Sequence, residues 1–471
     1  MSETAPPGAS KARHTQLFAV AAALLALLSL ARHSASRNSR PLPPSVRGGG
    51  AAAATPAAVT LRLRLPGSPS DIPPDPLTYA ARRLGENADS ISEAACGTWQ
   101  RDYAVQHATV LSGHAPPRFV ASVAVQSGLA DRVVGVMSQL MYALLSGRAL
   151  QFASVDGLPD WAVAFDSPHI NWTAPPFPEA VLEPLRNRYK GVDGYRHFGD
   201  RNYSAAEVHT ALYWPVYHFF LVRSDPAIDA FFWDTDLTTQ PHGHADVPYV
   251  MFASNRGRTY RLWENWHHRD ALRQWGMHAS DAVRCGFHFL FRPNQATQAA
   301  MAAMATPMGR TDALKIGIQI RAGDTAFNAS AEVSDLRQYQ EIEKQRRAPG
   351  QPVIWYFISD SLALRRQAAA RWPKKLLTDA SSQPVHVDCK RFNREACGGV
   401  DAAFRAAAAE LLTFSKADYH VVTQDSGFGM LGAWLSEGER RIYAVYRNAS
   451  RSCGRFEYDS LDTLASSWAG I

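Results

Sequence analysis

Three short stretches carry side chains able to do chemistry on an anionic ligand. The first is Gln319-Ile320-Arg321-Ala322-Gly323-Asp324. A guanidinium fixed after an apolar run offers a planar fork of donors matched to phosphate, with a charge that cannot be titrated away. The competing reading is an ion-paired surface turn. The second stretch is Tyr356-Phe357-Ile358-Ser359-Asp360-Ser361, an apolar run ending in polar residues. The third is Gln424-Asp425-Ser426-Gly427-Phe428-Gly429. Here Ser426 is placed as the N-cap of a following helix, whose amides and dipole favour an anion. A fourth pattern competes with these. Phe231-Phe232-Trp233-Asp234-Thr235-Asp236 is an apolar run ending in D-x-D, two carboxylates at a spacing that suits a divalent ion and a diphosphate. D-x-D is also frequent by chance.

The elements needed to position these residues can be read from periodicity. Ile316, Ile318 and Ile320 recur every second residue, so Lys315–Ile320 reads as a strand with Arg321 at its carboxyl end. From there the chain alternates. Ser334 to Arg347 reads as a helix, Val353–Ile358 as a buried strand and Leu362–Arg371 as a helix. Asp401–Ser415 reads as a helix, Tyr419–Thr423 as a strand, Met430–Ser436 as a helix and Ile442–Val445 as a strand. That rhythm predicts a parallel sheet covered on both faces, with ligand-capable residues where such sheets bind ligands.

The first half shows the same beginning. Phe119 to Val125 reads as a buried strand and Gly128 as a turn, followed by a helix from Arg132 to Leu145 with Val133, Val136, Met137, Leu140, Met141 and Leu144 at helical spacing. From Phe152 to Trp275 the aromatics are dense, either as core or as surfaces on which sugars stack. Ser254-Asn255-Arg256-Gly257-Arg258 is either an anion contact or a solvated loop. Pro293 to Ala305 reads as a helix with its proline in the first turn, bridging to the second half.

The amino terminus reads as an address. Lys11, Arg13 and His14 precede an uncharged run from Leu17 to Ala31, short for a bilayer. It suits a signal-anchor or a cleaved signal peptide. The Pro, Gly, Ala and Ser-rich stretch from Pro41 to Pro76 reads as a flexible stalk and favours the anchor. Acceptor sequons at Asn171, Asn202, Asn328 and Asn448 agree with a luminal location. The five cysteines show no zinc-ligand spacing and suit two disulfides and one thiol in an oxidising lumen. Cys389 and Cys397 flank a short polar segment and are the expected bridge.

The chain of 471 residues is long enough for two domains, and 46% hydrophobic residues allow sizeable cores. A net charge of +6 fits an anionic ligand. No lysine-rich block or base-stacking motif calls for nucleic acid.

Four blocks, in order, resemble the GT-B fucosyltransferase superfamily. The group includes plant and algal xyloglucan-type and α-1,2 enzymes, α-1,6 enzymes and protein O-fucosyltransferases. Ile316–Asp324 resembles its strand ending in H/Q-x-R-x-G-D, and Gly128-Leu129-Ala130-Asp131-Arg132 its G-L-G-N-R turn. Tyr356–Ser361 resembles its strand ending in S-D. Glu410 to Asp418, continuing to Ser426-Gly427-Phe428-Gly429, resembles its L-S-x-S-D…S-x-F-G segment. Ala130 and Asp131 stand where the motif has Gly and Asn, and Gln319 where many members have His. The branch, and with it linkage and acceptor, stays open.

The resemblance implies an α/β, GT-B-like fold of two Rossmann-like domains facing a cleft. The expected division is a tail and anchor over 1–40, a stem over 41–90, an acceptor-side domain over 91–300 and a GDP-sugar domain over 301–471. It implies transfer of fucose from GDP-fucose to a glycan or glycoprotein with inversion and without a metal or other cofactor, in a single-pass type II protein of the Golgi membrane. Arg321 is the implied catalytic residue. Implied donor contacts are Gln319, Arg321, Asp324, Ser426, Gly427, Phe428 and Gly429, with Glu410 accepting from the guanine edge. Asp360 and Ser361 are expected near the nucleoside, and Gly128, Asp131 and Arg132 approach from the amino-terminal domain. Two rival classes remain: a metal-dependent transferase using Asp234 and Asp236, and a non-catalytic luminal glycan-binding protein.

Overall fold

Five consecutive buried residues, Phe119–Val123 (β1), open the first sheet, as their apolar run demands. The computed structural model describes residues 75–86, 93–123, 127–153, 159–172, 209–213, 216–221, 225–240, 246–255, 257–323, 337–387, 399–423, 426–437, 441–445 and 459–460. The expected membrane span, most of the stem, Asp324, Cys389, Cys397 and the sequon residues Asn202, Asn328 and Asn448 lie outside them. Among the described residues no helix is long and apolar enough to cross a membrane.

Helices Pro76–Glu86 (α1), Glu93–Cys96 (α2) and Trp99–Leu111 (α3) precede β1. The first corrects the stem expectation over its last residues. Asp75 starts the helix by accepting from the amides of Leu77 and Thr78, each at 3.1 Å. Ala80 is buried, and Arg83 donates to the Ser167 carbonyl at 2.8 Å. The expected Cys389–Cys397 bridge lies outside the described residues, and the described disulfide is one that the sequence did not single out. Cys96 pairs with Cys285, 189 residues away, tying α2 to a distant helix.

The first sheet has the order β2 (Ala149–Ala153), β1, β6 (Tyr249–Ser254), β5 (Val216–Leu221), β4 (His209–Tyr213). Its pairs are parallel except β4 with β5. A two-residue strand, Phe165–Asp166 (β3), pairs with Arg292–Pro293 (β7). After β1 the chain turns at Gly128 into Leu129–Leu145 (α4). Every residue of α4 except Asp131 is buried, so it is a central helix and not an amphipathic one. Asp225–Asp234 (α5), Arg269–Gln274 (α6) and Ala279–Leu290 (α7) complete this half.

The bridge is the helix Gln295–Met308 (α8). Its cap is Asn294, whose side chain accepts from the Thr297 amide at 3.0 Å. Pro293 therefore ends β7 and does not begin the helix, a shift of one turn element that periodicity does not resolve.

The second sheet runs β10 (Leu376–Leu377), β9 (Val353–Ser359), β8 (Leu314–Ile320), β11 (Tyr419–Thr423), β12 (Arg441–Val445), β13 (Asp459–Ser460). All pairs are parallel except β12 with β13. Ile316 and Ile318 pack on one face with Ile342, Trp355, Phe357 and Leu364. Arg337–Arg346 (α9) and Leu362–Arg371 (α10) contribute to that face. On the other face lie Val400–Phe414 (α11) and Gly427–Trp434 (α12). That second core is continuous with the first sheet's: Val120, Val250, Phe287, Phe404, Leu411 and Leu431 belong to one cluster. Leu65 to Ile471 accordingly form one compact unit.

Candidate active site

The carboxyl ends of β8 and β11 are laced together by one threonine. The Arg321 amide donates to the Thr423 hydroxyl at 2.9 Å, and that hydroxyl donates to the Gln319 carbonyl at 3.1 Å. The Thr423 amide donates to Gln319 Oε1 at 3.3 Å. Gln319 is 5% exposed, so its side chain serves this link within the sheet. Arg321 is thereby fixed at a strand end by a residue 102 positions away.

Asp360 holds the turn that follows. Its carboxylate accepts from the amides of Ala322 at 2.7 Å and Gly323 at 3.0 Å. Gly323 has φ of 116°, a backbone that a side chain would strain, which explains glycine there. The geometry thus gives Asp360 the work of bracing the Arg321 turn. Its neighbour Ser361 is buried and caps α10, accepting from the Leu364 amide at 3.3 Å. Both side chains thus accept from backbone amides.

Ser426 stands at the head of α12, as its sequence position suggests. Its amide donates to the Thr423 carbonyl at 3.0 Å. It is 1% exposed, and among the described residues its hydroxyl has no hydrogen-bond partner and does not cap the helix. A buried hydroxyl without a partner costs about 1–3 kcal/mol, so a ligand that supplied one would be favoured there. The first amides of the helix, over Gly427, Phe428 and Gly429, have no acceptor within the helix. Gly429 must be small: a Cβ there would lie 2.4 Å from Val422 Cγ1 and 2.7 Å from Gln319 Oε1. The helix start is therefore pressed directly onto β8 and β11.

Glu410 is part of an ion pair. Both its oxygens are held by the guanidinium of Arg365, one of them at 3.0 Å from Nη2. Arg365 also donates to the carbonyls of Ser359 at 2.7 Å and Asp379 at 3.3 Å. Burial alone would lower the Arg365 pKa, and the Glu410 carboxylate more than reverses this. The Asp379 carboxyl is held at about 2; burial opposes this, and the hydroxyls and amides of Ser381 and Ser382 outweigh it. Glu410 keeps 27% of its side-chain surface exposed. Neither Arg365 nor Thr423 is singled out in sequence, because their partners lie 45 and 102 residues away.

The amino-terminal half meets this edge through α4. Arg132 is buried, donates to the Ser127 carbonyl at 3.3 Å and lies 5.8 Å over the Phe404 ring of α11. Gly128 precedes α4 and Asp131 lies in its first turn; a Cβ on Gly128 would lie 3.7 Å from Nε2 of His386, a residue the motifs do not mark.

The D-x-D pair is placed elsewhere. The apolar run before it ends helix α5, and Asp234 is the last residue of that helix. Asp236 caps the next turn, accepting from the Thr238 amide at 2.9 Å and hydroxyl at 2.6 Å. Burial would raise its pKa, but Thr238, His267 and His268 together lower it. Among the described residues no three metal-ligating side chains gather as a site.

No protein-family model matches the chain, and no curated protein matches it. Solved structures do. An arginine-to-lysine variant of Arabidopsis thaliana FUT1 in complex with GDP superposes with a TM-score of 0.50 and 16% identity, over 80% of this chain and 81% of that one. NodZ alpha-1,6-fucosyltransferase soaked with GDP-fucose gives 0.41 and 14%, over 73% and 99%. Fucosyltransferase NodZ from Bradyrhizobium gives 0.38 and 13%, over 70% and 95%. The likeness to the first is one of fold: the mixed α/β architecture with two parallel sheets is similar to that of a GT-B fucosyltransferase.

Proposed function

We propose that this chain is a glycosyltransferase that moves fucose from GDP-fucose to a hydroxyl of a glycan or glycoprotein, with inversion. One observation carries the proposal. The buried, partnerless Ser426 hydroxyl heads a helix pressed onto β8 and β11, at the same edge as Arg321. Departure of GDP leaves negative charge on the β-phosphate oxygen, which preorganised donors must stabilise. Arg321 supplies the charge and a fork, Ser426 a hydroxyl donor, and Gly427, Phe428 and Gly429 their amides. Asp360 holds the Arg321 turn in place. Glu410, oriented by Arg365, retains lone pairs to accept from the guanine edge. Gly128, Asp131 and Arg132 approach the donor from the other sheet. The site needs no metal, because its positive charge comes from the protein.

The disulfide between Cys96 and Cys285 supports residence in an oxidising compartment. The lumen of the Golgi, reached through an amino-terminal anchor, is the proposed one. The test is GDP release by the purified chain from a panel of nucleotide sugars. GDP-fucose is expected to be turned over well ahead of GDP-mannose and UDP-sugars. A UDP-sugar turned over faster than GDP-fucose would contradict the assignment.

A further inference from the structure

Two tryptophans of the amino-terminal half face water. Trp99, Trp172 and Trp434 are buried, and each donates its indole N–H to a backbone carbonyl. Trp233 and Trp266 are instead 55% and 62% exposed. One buried side chain ties their backbones together. The Asn265 amide group donates to the carbonyls of Phe232 and Thr235, each at 3.0 Å, and its Oδ1 accepts from the His267 amide at 2.8 Å. Trp233 and Trp266 thus stand within one asparagine side chain and two peptide links of each other. A second tie joins the same segments, where His268 Nε2 accepts from the Leu237 amide at 2.9 Å. Both rings also have side-chain neighbours. The Arg261 guanidinium lies 5.8 Å over the Trp233 ring and pairs with Glu264 at 2.6 Å. The His267 ring lies 3.5 Å from that of Trp266, with Asp236 3.9 Å beyond it. Indoles held open on a braced frame contribute little to the core and offer rigid contact area at low entropic cost.

We propose that Trp233 and Trp266 form a platform that binds a neutral glycan. The charge around the indoles selects that occupant. Arg261 is matched by Glu264, and Arg269 by Asp270 at 3.7 Å, so no excess of one sign gathers there. A polyanion or an anionic membrane would meet the exposed carboxylates of Asp234, Glu264 and Asp270. The core of a protein interface is depleted of such ions. A sugar chain suits both features. Its C–H faces carry slight positive charge and pack on the electron-rich faces of the indoles. Its hydroxyls exchange hydrogen bonds with the carboxylate and guanidinium oxygens and N–H groups at the rim. The inference rests on the proposed function for its ligand class, a glycan acceptor, and adds where that chain is held.

The probe is an array of neutral oligosaccharides, presented to the full chain without donor, with calorimetric titration of the best ligand. Wild type is expected to bind. Trp233→Ala and Trp266→Ala should each weaken binding about tenfold or more, as truncated aromatic anchors do, and the double variant should not bind. Both side chains are open to solvent, so melting temperatures should match wild type. Trp233→Phe and Trp266→Phe keep a smaller ring and guard against misfolding; their affinities should fall between. A heparin oligosaccharide and anionic vesicles are expected to show no tryptophan-dependent binding. Unchanged glycan affinity in the folded alanine variants, or in the phenylalanine variants should the alanine ones not fold, would overturn the proposal. So would a wild type that binds no neutral glycan, including one whose tryptophans instead mediate self-association or vesicle binding. Hydrolysis of GDP-fucose by the wild type is measured alongside. Its absence would sink the donor assignment alone, because glycan binding is read without donor.

Discussion

Asp360 and Asp236 both turn a carboxylate onto backbone amides, at very different ranges. Asp236 caps the turn that begins at the next residue, reaching the Thr238 amide two positions on. Asp360 reaches amides 38 and 37 residues away, and those amides belong to the turn carrying Arg321. A local cap can be met by the chain's own neighbours and serves a helix start. A carboxylate held across strands fixes one loop of the fold against another. The contrast distinguishes the two acidic motifs of the sequence: D-x-D punctuates local structure, whereas S-D belongs to the edge where the candidate site is built.

Asp360→Ala should break that distinction most strongly. Without its brace the Arg321 turn is free to move, and a displacement of about 1 Å is worth roughly 10²-fold in turnover. Asp360→Asn, which keeps one acceptor, should fall between. Steady-state GDP-fucose turnover of the two variants measures this. Wild-type rates in Asp360→Ala would reduce Asp360 to the same standing as Asp236.

How much of this was legible in the sequence depends on range. The strand under Arg321 shows because Ile316, Ile318 and Ile320 alternate, and Ser426 shows because N-caps have a residue signature. The local use of Asp236 was ambiguous: Phe231 to Trp233 is too short an apolar run for periodicity to separate helix end from strand. The long-range links were not legible at all. Nothing in Thr423 announces Arg321, and nothing in Arg365 announces Glu410. Cys96 and Cys285 show the same limit, since counting cysteines gives no connectivity. Leu77, Ala80 and the Asp75 cap are visible signals of α1, but the Pro and Ala-rich stretch before them masks where the stalk stops.

Acid should weaken the fold as a whole, on both sheets alike. Burial lowers the pKa of His420 to about 4, and His420 lies on β11 three residues before Thr423. His107 and His169 are likewise pushed to about 4 by burial, with arginine charges adding to the effect. Unfolding exposes these rings to an ordinary value near 6.5, so the unfolded chain binds more protons between the two values. Stability is therefore intact above about pH 6.5 and falls as pH drops toward 4, by up to about 3 kcal/mol per ring. Thermal melts between pH 7.5 and 4.5 check the direction. A melting temperature that rises on acidification would contradict it.

The smallest effect is expected at Asp236. Asp236→Asn retains an acceptor for the Thr238 amide, so the cap should lose under about 1 kcal/mol. GDP-fucose turnover by this variant, and by wild type in EDTA, should match the untreated enzyme. Loss on chelation with recovery on adding manganese would restore the D-x-D pair to the chemistry and reverse the comparison.

The central claim is that Arg321 grips the leaving phosphate with two parallel donors at the edge braced by Asp360 and Thr423. Arg321→Lys keeps the charge and loses the fork. Folding should be unchanged, because the residue follows β8 and its amide, not its side chain, makes the link to Thr423. GDP-fucose turnover by purified, folded Arg321→Lys measures the claim directly. A fall of about 10²–10³-fold is predicted, the value typical of one lost charge-stabilising contact; turnover near the wild-type rate would contradict it.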